Sequence, residues 1–500
     1  MNINKILISN RGEIALRIIR ACRELNIKSV VVFSDIDRLS RHVLYADEAY
    51  SIGAPSATES YLRIDKIIEV AKSAGVDAIH PGYGFLSENS EFASGAEKNN
   101  IIFLGPSAES MNILGNKTSA KNIADKCGID SVPGSSKAFK DVKQAYKAAG
   151  EIGYPLLLKA VSGGGGKGMR TVRSKAEFAE QFKTASSEAE SSFNDPSVFI
   201  EKLIEDPHHI EIQILADSHG NVVHLGEREC SVQRRYQKII EESPSPFISH
   251  DLRQKMAKAA VDLAKAAKYK SAGTVEFLVD SKMNYYFLEM NTRLQVEHPV
   301  TEMRTGIDLV KEQIRIGEGK KLRFSQEDIS FSGHSIECRI TAEDTSNDFA
   351  PAIGTIIDYF EPGGPGVRVD SGVHAGTVVS PYYDSLLSKV VVWGNDRNEA
   401  LDRCVRALSE YIITGLPTSL PFCKRVLTNA EFRKGKYDLN LTAKISKSPN
   451  KNVNGNILNA AAIGASAFQY SSSSNNNFNG KASKLSSSQW KIHGRKSSLR

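Results

Sequence analysis

Residues 274–297, TVEFLVDSKMNYYFLEMNTRLQVE, hold the side chains in this chain best suited to chemistry. Two apolar, β-rich runs flank a four-residue break, Ser281-Lys282-Met283-Asn284, and this pattern predicts a β-hairpin. With Asp280 opposite Tyr285, the register sets Glu276 directly across from Glu289. Carboxylates at facing positions repel each other. Their neighbours Val275, Phe277, Leu288 and Met290 are apolar and leave little water to screen them. A hard cation held by oxygen ligands would neutralise the pair, most simply Mg²⁺ shared with a nucleotide phosphate. Downstream, Glu289, Asn291, Arg293, Gln295 and Glu297 recur at every second position. In an extended segment such residues share one face, here a ledge of a metal ligand, two amides, a guanidinium and a final carboxylate. A solvated strand face also alternates polar residues, but it seldom sets two acids opposite each other between apolar strands.

The elements around the hairpin suggest an α/β chain in several domains. Residues 1–115 alternate strand-like and helix-like patterns: KILIS, a helix over Ile14–Leu25, VVVFS, a helix near 61–74, DAIHPG, a helix near 89–99, and IIFLG. Such alternation implies a parallel sheet with helices on its faces. The first turn, SNRGEIA, has a single glycine and lacks the G-x-G-x-x-G dinucleotide fingerprint. Residues 116–330 form a second domain, with a small glycine-rich module at about 131–203. In that module YPLLLKAVS and MRTVRS flank Gly163-Gly164-Gly165-Gly166-Lys167-Gly168. A P-loop requires Ser or Thr after the lysine and a helix beyond it. Here Gly168 follows and then a strand, which leaves a glycine hairpin whose N–H groups could fold over phosphates. Lys117 and Lys159 flank the module. An ammonium at the end of LLLK needs a phosphate partner or an exit to water.

In HHIEIQIL, His209, Glu211 and Gln213 share one strand face and Ile210, Ile212 and Ile214 the other. No third ligand at zinc spacing accompanies His209 and Glu211. SVQRRYQKIIEE supplies Gln233 and Lys238 in a basic turn. Residues 331–445 read as a mixed α/β domain, in which SIECRITA puts Glu337 and Arg339 on one face and Ile336, Cys338 and Ile340 on the other. Residues 446–500 are a low-complexity basic tail, rich in Ser, Asn and Lys, whose composition predicts disorder.

The net charge of +6 misleads, because nine of the 64 basic residues lie beyond Asp438, where no acid occurs. The remaining 55 against 58 acidic residues leave the body at about −3, which lends little support to nucleic-acid binding. No apolar run reaches the roughly 18 residues a membrane span needs, and the N-terminus lacks signal-peptide features. Six scattered cysteines without C-x-x-C spacing argue against a disulfide framework or zinc site and fit a reducing cytoplasm. Cys230 has no Cys-His-Asn arrangement and reads as an inert thiol.

Taken together, SNRGEIALRIIRA, HPGYGFLSEN, GGGGKGMR, HHIEIQ, CSVQRRYQK, FLEMNTRLQVEHPVTE, ECRITAED and PYYDSLLSK resemble biotin carboxylases of the ATP-grasp superfamily, in family order over about residues 1–440. The resemblance implies an ATP-grasp fold with an N-terminal Rossmann-like domain, a small glycine-rich lid and a C-terminal mixed α/β domain. It implies an ATP site of Lys117, Lys159, Gly165, Gly166, Glu201, Lys202, Leu203, His209, Gln233, Leu278 and Glu289. Glu276, Glu289 and Asn291 would hold two Mg²⁺ or Mn²⁺ ions. Lys238, Arg293, Gln295, Val296 and Glu297 would hold bicarbonate, with Glu297 as general base, and Arg339 would face the biotin ureido oxygen. Tyr236 departs from the family, which usually has His there. The substrates implied are ATP, bicarbonate and biotin on a carrier, reacting through carboxyphosphate. No Ala-Met-Lys-Met acceptor and no carboxyltransferase occur in the sequence. The expected partners are therefore a biotin carboxyl carrier protein, carboxyltransferase subunits and a second copy in a homodimer, with no nucleic acid and no membrane. The first half-reaction of acetyl-CoA carboxylase is the leading expectation, ahead of a role in a pyruvate or propionyl-CoA carboxylase. Another ATP-grasp ligase and a non-catalytic nucleotide-binding scaffold are the remaining alternatives.

Overall fold

The computed structural model describes residues 2–135, 137–161, 169–193 and 195–447. Its first strands are β1 (Lys5–Ile8), β2 (Lys28–Ser34), β3 (Glu48–Gly53), β4 (Ala78–His80) and β5 (Ile102–Phe103). They form a parallel sheet in the order β3-β2-β1-β4-β5. Four of these strands follow the apolar runs of the sequence; β3 was not anticipated. The helix Gly12–Glu24 buries Ile14, Leu16, Ile18, Ile19 and Cys22. It is apolar on so many sides because it also packs against Leu309, Val310 and Ile314 of a later helix. The order reverses between β1 and β4, the place where open α/β sheets bind ligands. There Asn10 Nδ2 donates to the carbonyls of Pro81 (2.7 Å) and Tyr83 (2.8 Å), tying together the two loops that open the crevice.

Strands β6 (Leu156–Ala160), β7 (Met169–Val172) and β8 (Val198–Lys202) form a small antiparallel sheet with β6 in the centre. Phe178 and Phe182 pack with Leu156, Leu158 and Ile200 in its own core. The strands on either side of the glycine run are as expected. Gly165 and Gly166 lie outside the described residues.

The third sheet contains β9 (His208–Ala216), β10 (Val222–Arg234), β11 (Gln237–Ser243), β12 (Ser271–Val279), β13 (Tyr285–Asn291) and β14 (His334–Thr341). Two later strands, Leu386–Gly394 and Val367–Ser371, extend it beyond β14. The order is β13-β12-β9-β10-β11-β14, then these two, antiparallel throughout. The sheet runs without a break past position 330, because β11 pairs with β14. Ile210, Ile212, Ile214, Val275 and Phe277 pack beneath the helix His250–Ala266. Ile336, Cys338 and Ile340 pack with Leu401, Cys404 and Leu408 of the helix Arg397–Glu410. Alternation sends their neighbours to the opposite face, and the register aligns them: Glu276 beside Glu211, Glu211 beside Arg228, and Glu241 beside Glu337.

The hairpin forms with a register that differs from the expected one. Val279, not Asp280, stands opposite Tyr285. A bulge near Leu288 then adds one residue to β13 and restores the Glu276–Glu289 pairing. Asp280 belongs to the turn instead, where its Oδ1 accepts from the N–H groups of Lys282 (2.9 Å) and Asn284 (2.8 Å). All six cysteines are free thiols. Among the described residues no helix is long and apolar enough to cross a membrane. The tail residues 448–500 lie outside the described residues.

Candidate active site

The polar face of the large sheet floors a cleft of about 1880 Å³ that also reaches the switch-point loops and the small module. Lys117, Lys159, Glu201, Lys202, Leu203, His209, Gln233, Lys238, Glu276, Leu278, Glu289, Asn291, Arg293, Gln295, Val296 and Arg339 all line it. Glu297 lies behind the wall, fully buried. The structure therefore gathers into one place side chains drawn from residues 117 to 339.

Lys238 occupies the centre. Its Nζ lies 2.6 Å from Glu211 Oε2, 3.0 Å from Glu276 Oε1 and 2.5 Å from Glu297 Oε1. Burial alone would lower its pKa, but the three carboxylates override this and raise it. Arg339 Nε donates to Glu241 Oε1 (2.6 Å), and its Nη2 donates to Glu297 Oε2 (2.8 Å). Burial pushes Glu297 up, yet Lys238 and Arg339 hold it well below the usual carboxylate range. Glu241, beyond Arg339, is pushed up to about 7 by burial, aided by Glu297 and opposed by Arg339.

The ledge is extended only at its start. β13 ends at Asn291, and Glu297 is the N-cap of the helix His298–Thr305. The grouping survives because Arg293 holds it: Nη2 donates to Asn291 Oδ1 (3.1 Å) and Nη1 to Gln295 Oε1 (3.1 Å). Arg293 Nε donates to Glu88 Oε2 (2.8 Å), while Glu88 Oε1 accepts from the Thr292 N–H (2.9 Å).

Glu276 is buried, whereas Glu289 is exposed at the cleft surface. Their repulsion is relieved in a way the hairpin alone does not suggest. His209 Nε2 lies 3.1 Å from Glu276 Oε2, on the side away from Lys238. Burial would raise Glu276, but Lys238 and His209 together lower it. Glu289 is raised by desolvation first and by Glu276 second, with Lys117 opposing. An acid that lines the cleft opposite a second carboxylate is a fitting ligand for a divalent ion, with Glu276 and Asn291 beside it. Atoms of His209, Glu211 and Glu276 also lie within 4.8 Å of one another.

Lys159 is next to the last residue of β6 and lines the cleft. It ion-pairs with Glu201 on the neighbouring strand, and Lys121 Nζ lies 2.7 Å from the same carboxylate. Burial would raise Glu201, and the two lysines lower it. Lys202 Nζ donates to the carbonyls of Gly153 (3.0 Å) and Tyr154 (2.7 Å). Gln233 Nε2 donates to the Cys230 carbonyl (2.7 Å). Tyr236 sits half-exposed in the β10–β11 turn at φ 66°. Cys230 is buried with its pKa raised, first by burial, as an inert thiol should be.

Sequence reasoning missed Arg228, Glu241 and Glu88 and undervalued Glu211. Arg228 is fully buried, paired with Glu211 and donating to Gln213 Oε1 (2.6 Å). The signal for it was the run of charges in HLGEREC inside an otherwise apolar strand. Glu88 gave none, because its partner lies 205 residues away.

Known proteins resemble this chain over most of its length. Residues 2–111 match the family model for the biotin carboxylase N-terminal domain, and 116–325 the carbamoyl-phosphate synthase L chain ATP-binding domain. Residues 337–444 match the biotin carboxylase C-terminal domain. The chain is 52% identical over 447 residues to the biotin carboxylase of Nostoc sp., covering 89% of this chain and 100% of that one. It is 53% identical over 432 residues to a pyruvate carboxylase subunit of Methanothermobacter thermautotrophicus, covering 86% and 88%. A solved biotin carboxylase domain dimer of Hydrogenobacter thermophilus 2-oxoglutarate carboxylase, in complex with MgADP, ADP and bicarbonate, superposes with a TM-score of 0.86. That match has 46% identity and covers 90% of this chain and 100% of that one.

Proposed function

The chain belongs to the biotin carboxylase family, an ATP-grasp ligase that carboxylates biotin at the expense of ATP, and on that premise we propose how its own residues divide the work. The observation that carries the reading is the Lys238–Glu297–Arg339 chain in the cleft floor, with the Glu276–Glu289 pair at one end. Lys117, Lys159, Glu201, Lys202, Leu203, His209, Gln233, Leu278 and Glu289 surround the nucleotide; Gly165 and Gly166, which lie outside the described residues, complete the set. Glu276, Glu289 and Asn291 would hold Mg²⁺, which would supply positive charge to the transferring phosphoryl group; Mn²⁺ has the same ligand preference.

Arg293, held by Glu88, Leu294, Asn291 and Gln295, presents its remaining Nη2 N–H to bicarbonate. Gln295, Val296 and Lys238 complete that subsite. Glu297 takes the bicarbonate proton. In the resting arrangement two cations stabilise its charge, so it becomes a competent base only as Lys238 turns toward the incoming anion. Attack on the γ-phosphorus yields carboxyphosphate and ADP. Carboxyphosphate releases CO₂ and phosphate, phosphate accepts the biotin N1′ proton while Arg339 steadies the enolate-like ureido oxygen, and the deprotonated N1′ adds to CO₂ to give carboxybiotin. A well-aimed charged donor of this kind contributes about 3 kcal/mol. Biotin arrives on a separate carrier protein, the chain pairs as a homodimer, and carboxyltransferase subunits consume the product. We assign it to the first half-reaction of acetyl-CoA carboxylase. The likeness to the Methanothermobacter protein supports pyruvate carboxylase as the second reading.

The deciding assay is ADP release with and without bicarbonate, each with and without free biotin. The reading requires dependence on bicarbonate and formation of carboxybiotin; ADP release indifferent to both would overturn it. Capture of the biotinylated carrier with its transferase distinguishes the two carboxylases.

A further inference from the structure

The motif PYYDSLLSK ends in Lys389, a lysine that the mechanism above does not use. It is fully buried on the strand Leu386–Gly394, opposite Arg339 on one side and Asp370 on the other. Its Nζ donates to the Val296 carbonyl at 2.7 Å. The same nitrogen lies 3.1 Å from Glu13 Oε1 and 3.9 Å from Asp370 Oδ2. Three separate parts of the chain therefore meet at one ammonium: the first helix of the parallel sheet, the turn after the hairpin, and the last strands of the large sheet.

A buried ammonium needs compensating charge, and Glu13 and Asp370 supply it. Neither requires the bond to Val296. That bond is a charge-assisted one to the backbone of the 295–297 turn. His298 braces the same turn from its far side, where its Nδ1 lies 2.8 Å from the Gln295 carbonyl. Val296 is thus held through its carbonyl while the residue also lines the cleft. Glu297 follows directly and inherits that orientation.

We propose that Lys389 is a positioning residue for the bicarbonate end of the site, its ammonium aiming the Val296 turn and, through it, Glu297. The inference rests on the functional reading given above. Lys389 does not line the cleft, so its effect should reach the site through Val296 and Glu297.

The test compares K389M and K389R with the wild-type chain in bicarbonate-dependent ADP release. In K389M the KM for bicarbonate should rise roughly 10- to 100-fold, the scale expected when a reacting group is misplaced by about 1 Å. The KM for ATP should stay within about twofold. K389R keeps a charged donor and should recover most of the bicarbonate KM. Should K389M fail to fold, K389Q takes its place: a rise in bicarbonate KM without one in ATP KM, absent in K389R, supports the proposal. Equal shifts in both, or a shift in neither, overturn it. A wild-type chain with no bicarbonate-dependent ADP release would sink the functional reading instead, so the two failures are distinguishable.

Discussion

Lys238 Nζ and Glu276 Oε1 lie 3.0 Å apart, so an ammonium already stands at one of the two carboxylates that face each other across the hairpin. Glu276 is therefore partly compensated, while Glu289, outside that contact, is still raised by burial and by Glu276. Lys238 serves Glu211, Glu276 and Glu297 at once. Removing one partner of a buried ion pair leaves the others uncompensated at about 3–5 kcal/mol. Lys238→Gln should lower thermal stability on that scale, and added Mg²⁺ should recover more of it than in the wild type. Melting curves with and without Mg²⁺ check this; an unchanged melt in both conditions would mean the cluster does not need its cation.

Glu297→Gln keeps shape but removes the proton acceptor. Bicarbonate-dependent ADP release should fall by roughly 10²- to 10⁴-fold, the usual range for a general base, while nucleotide binding persists. Isothermal titration with Mg-ATP alongside the ADP assay separates the two. Turnover at the wild-type rate would remove Glu297 from the chemistry.

Arg339→Ala should hurt biotin carboxylation more than ATP hydrolysis. The loss in carboxybiotin formation is expected at about 10²-fold. ATP hydrolysis should fall less, though not stay untouched, because Arg339 also pins Glu297 at 2.8 Å. Equal losses in both activities would mean that its service to Glu297 is its whole role.

Glu88→Gln weakens the charged hydrogen bond that flattens Arg293. A bond of that type contributes about 1.5 kcal/mol or more, so the KM for bicarbonate should rise roughly tenfold. Steady-state kinetics in bicarbonate checks this, with ATP as the internal control. A response confined to ATP would place Arg293 at the nucleotide.

Acid stability should depend on Glu242. Burial would raise it, but hydrogen bonds from His334 and Arg397 bring it from 4.5 down to about 2. A depressed acid stabilises the fold above its unfolded value, and that stability is lost as pH falls through the folded one. The wild type should therefore lose stability steeply between about pH 4.5 and pH 2. Glu242→Gln should start less stable at neutral pH and show a flatter decline, read from urea midpoints across that range. Parallel curves would exclude Glu242 as a source of the acid sensitivity.

Much of the site was legible because short-range patterns survive folding. Alternation in HHIEIQIL and SIECRITA assigned the faces of β9 and β14 correctly, since each strand has one face against a helix. The facing of Glu276 and Glu289 was read correctly although the pairing near the turn was not, because Asp280 folds into the turn and a bulge compensates. What sequence could not supply were partners from distant strands. Glu201 for Lys159, Lys238 for Glu276 and Glu88 for Arg293 depend on strand order and domain packing, which no local pattern encodes. The ledge was read as one long strand, yet it bends after Asn291, and Arg293 maintains the grouping that backbone geometry alone would have lost.

Glu276 and Arg339 project from strands of the same hydrogen-bonded ladder, β12 and β14, with β9, β10 and β11 between them. On the proposed roles, the spacing between the phosphoryl donor and the carboxyl acceptor is set by these three intervening strands, so one residue inserted into any of them would re-space the two ends of the site.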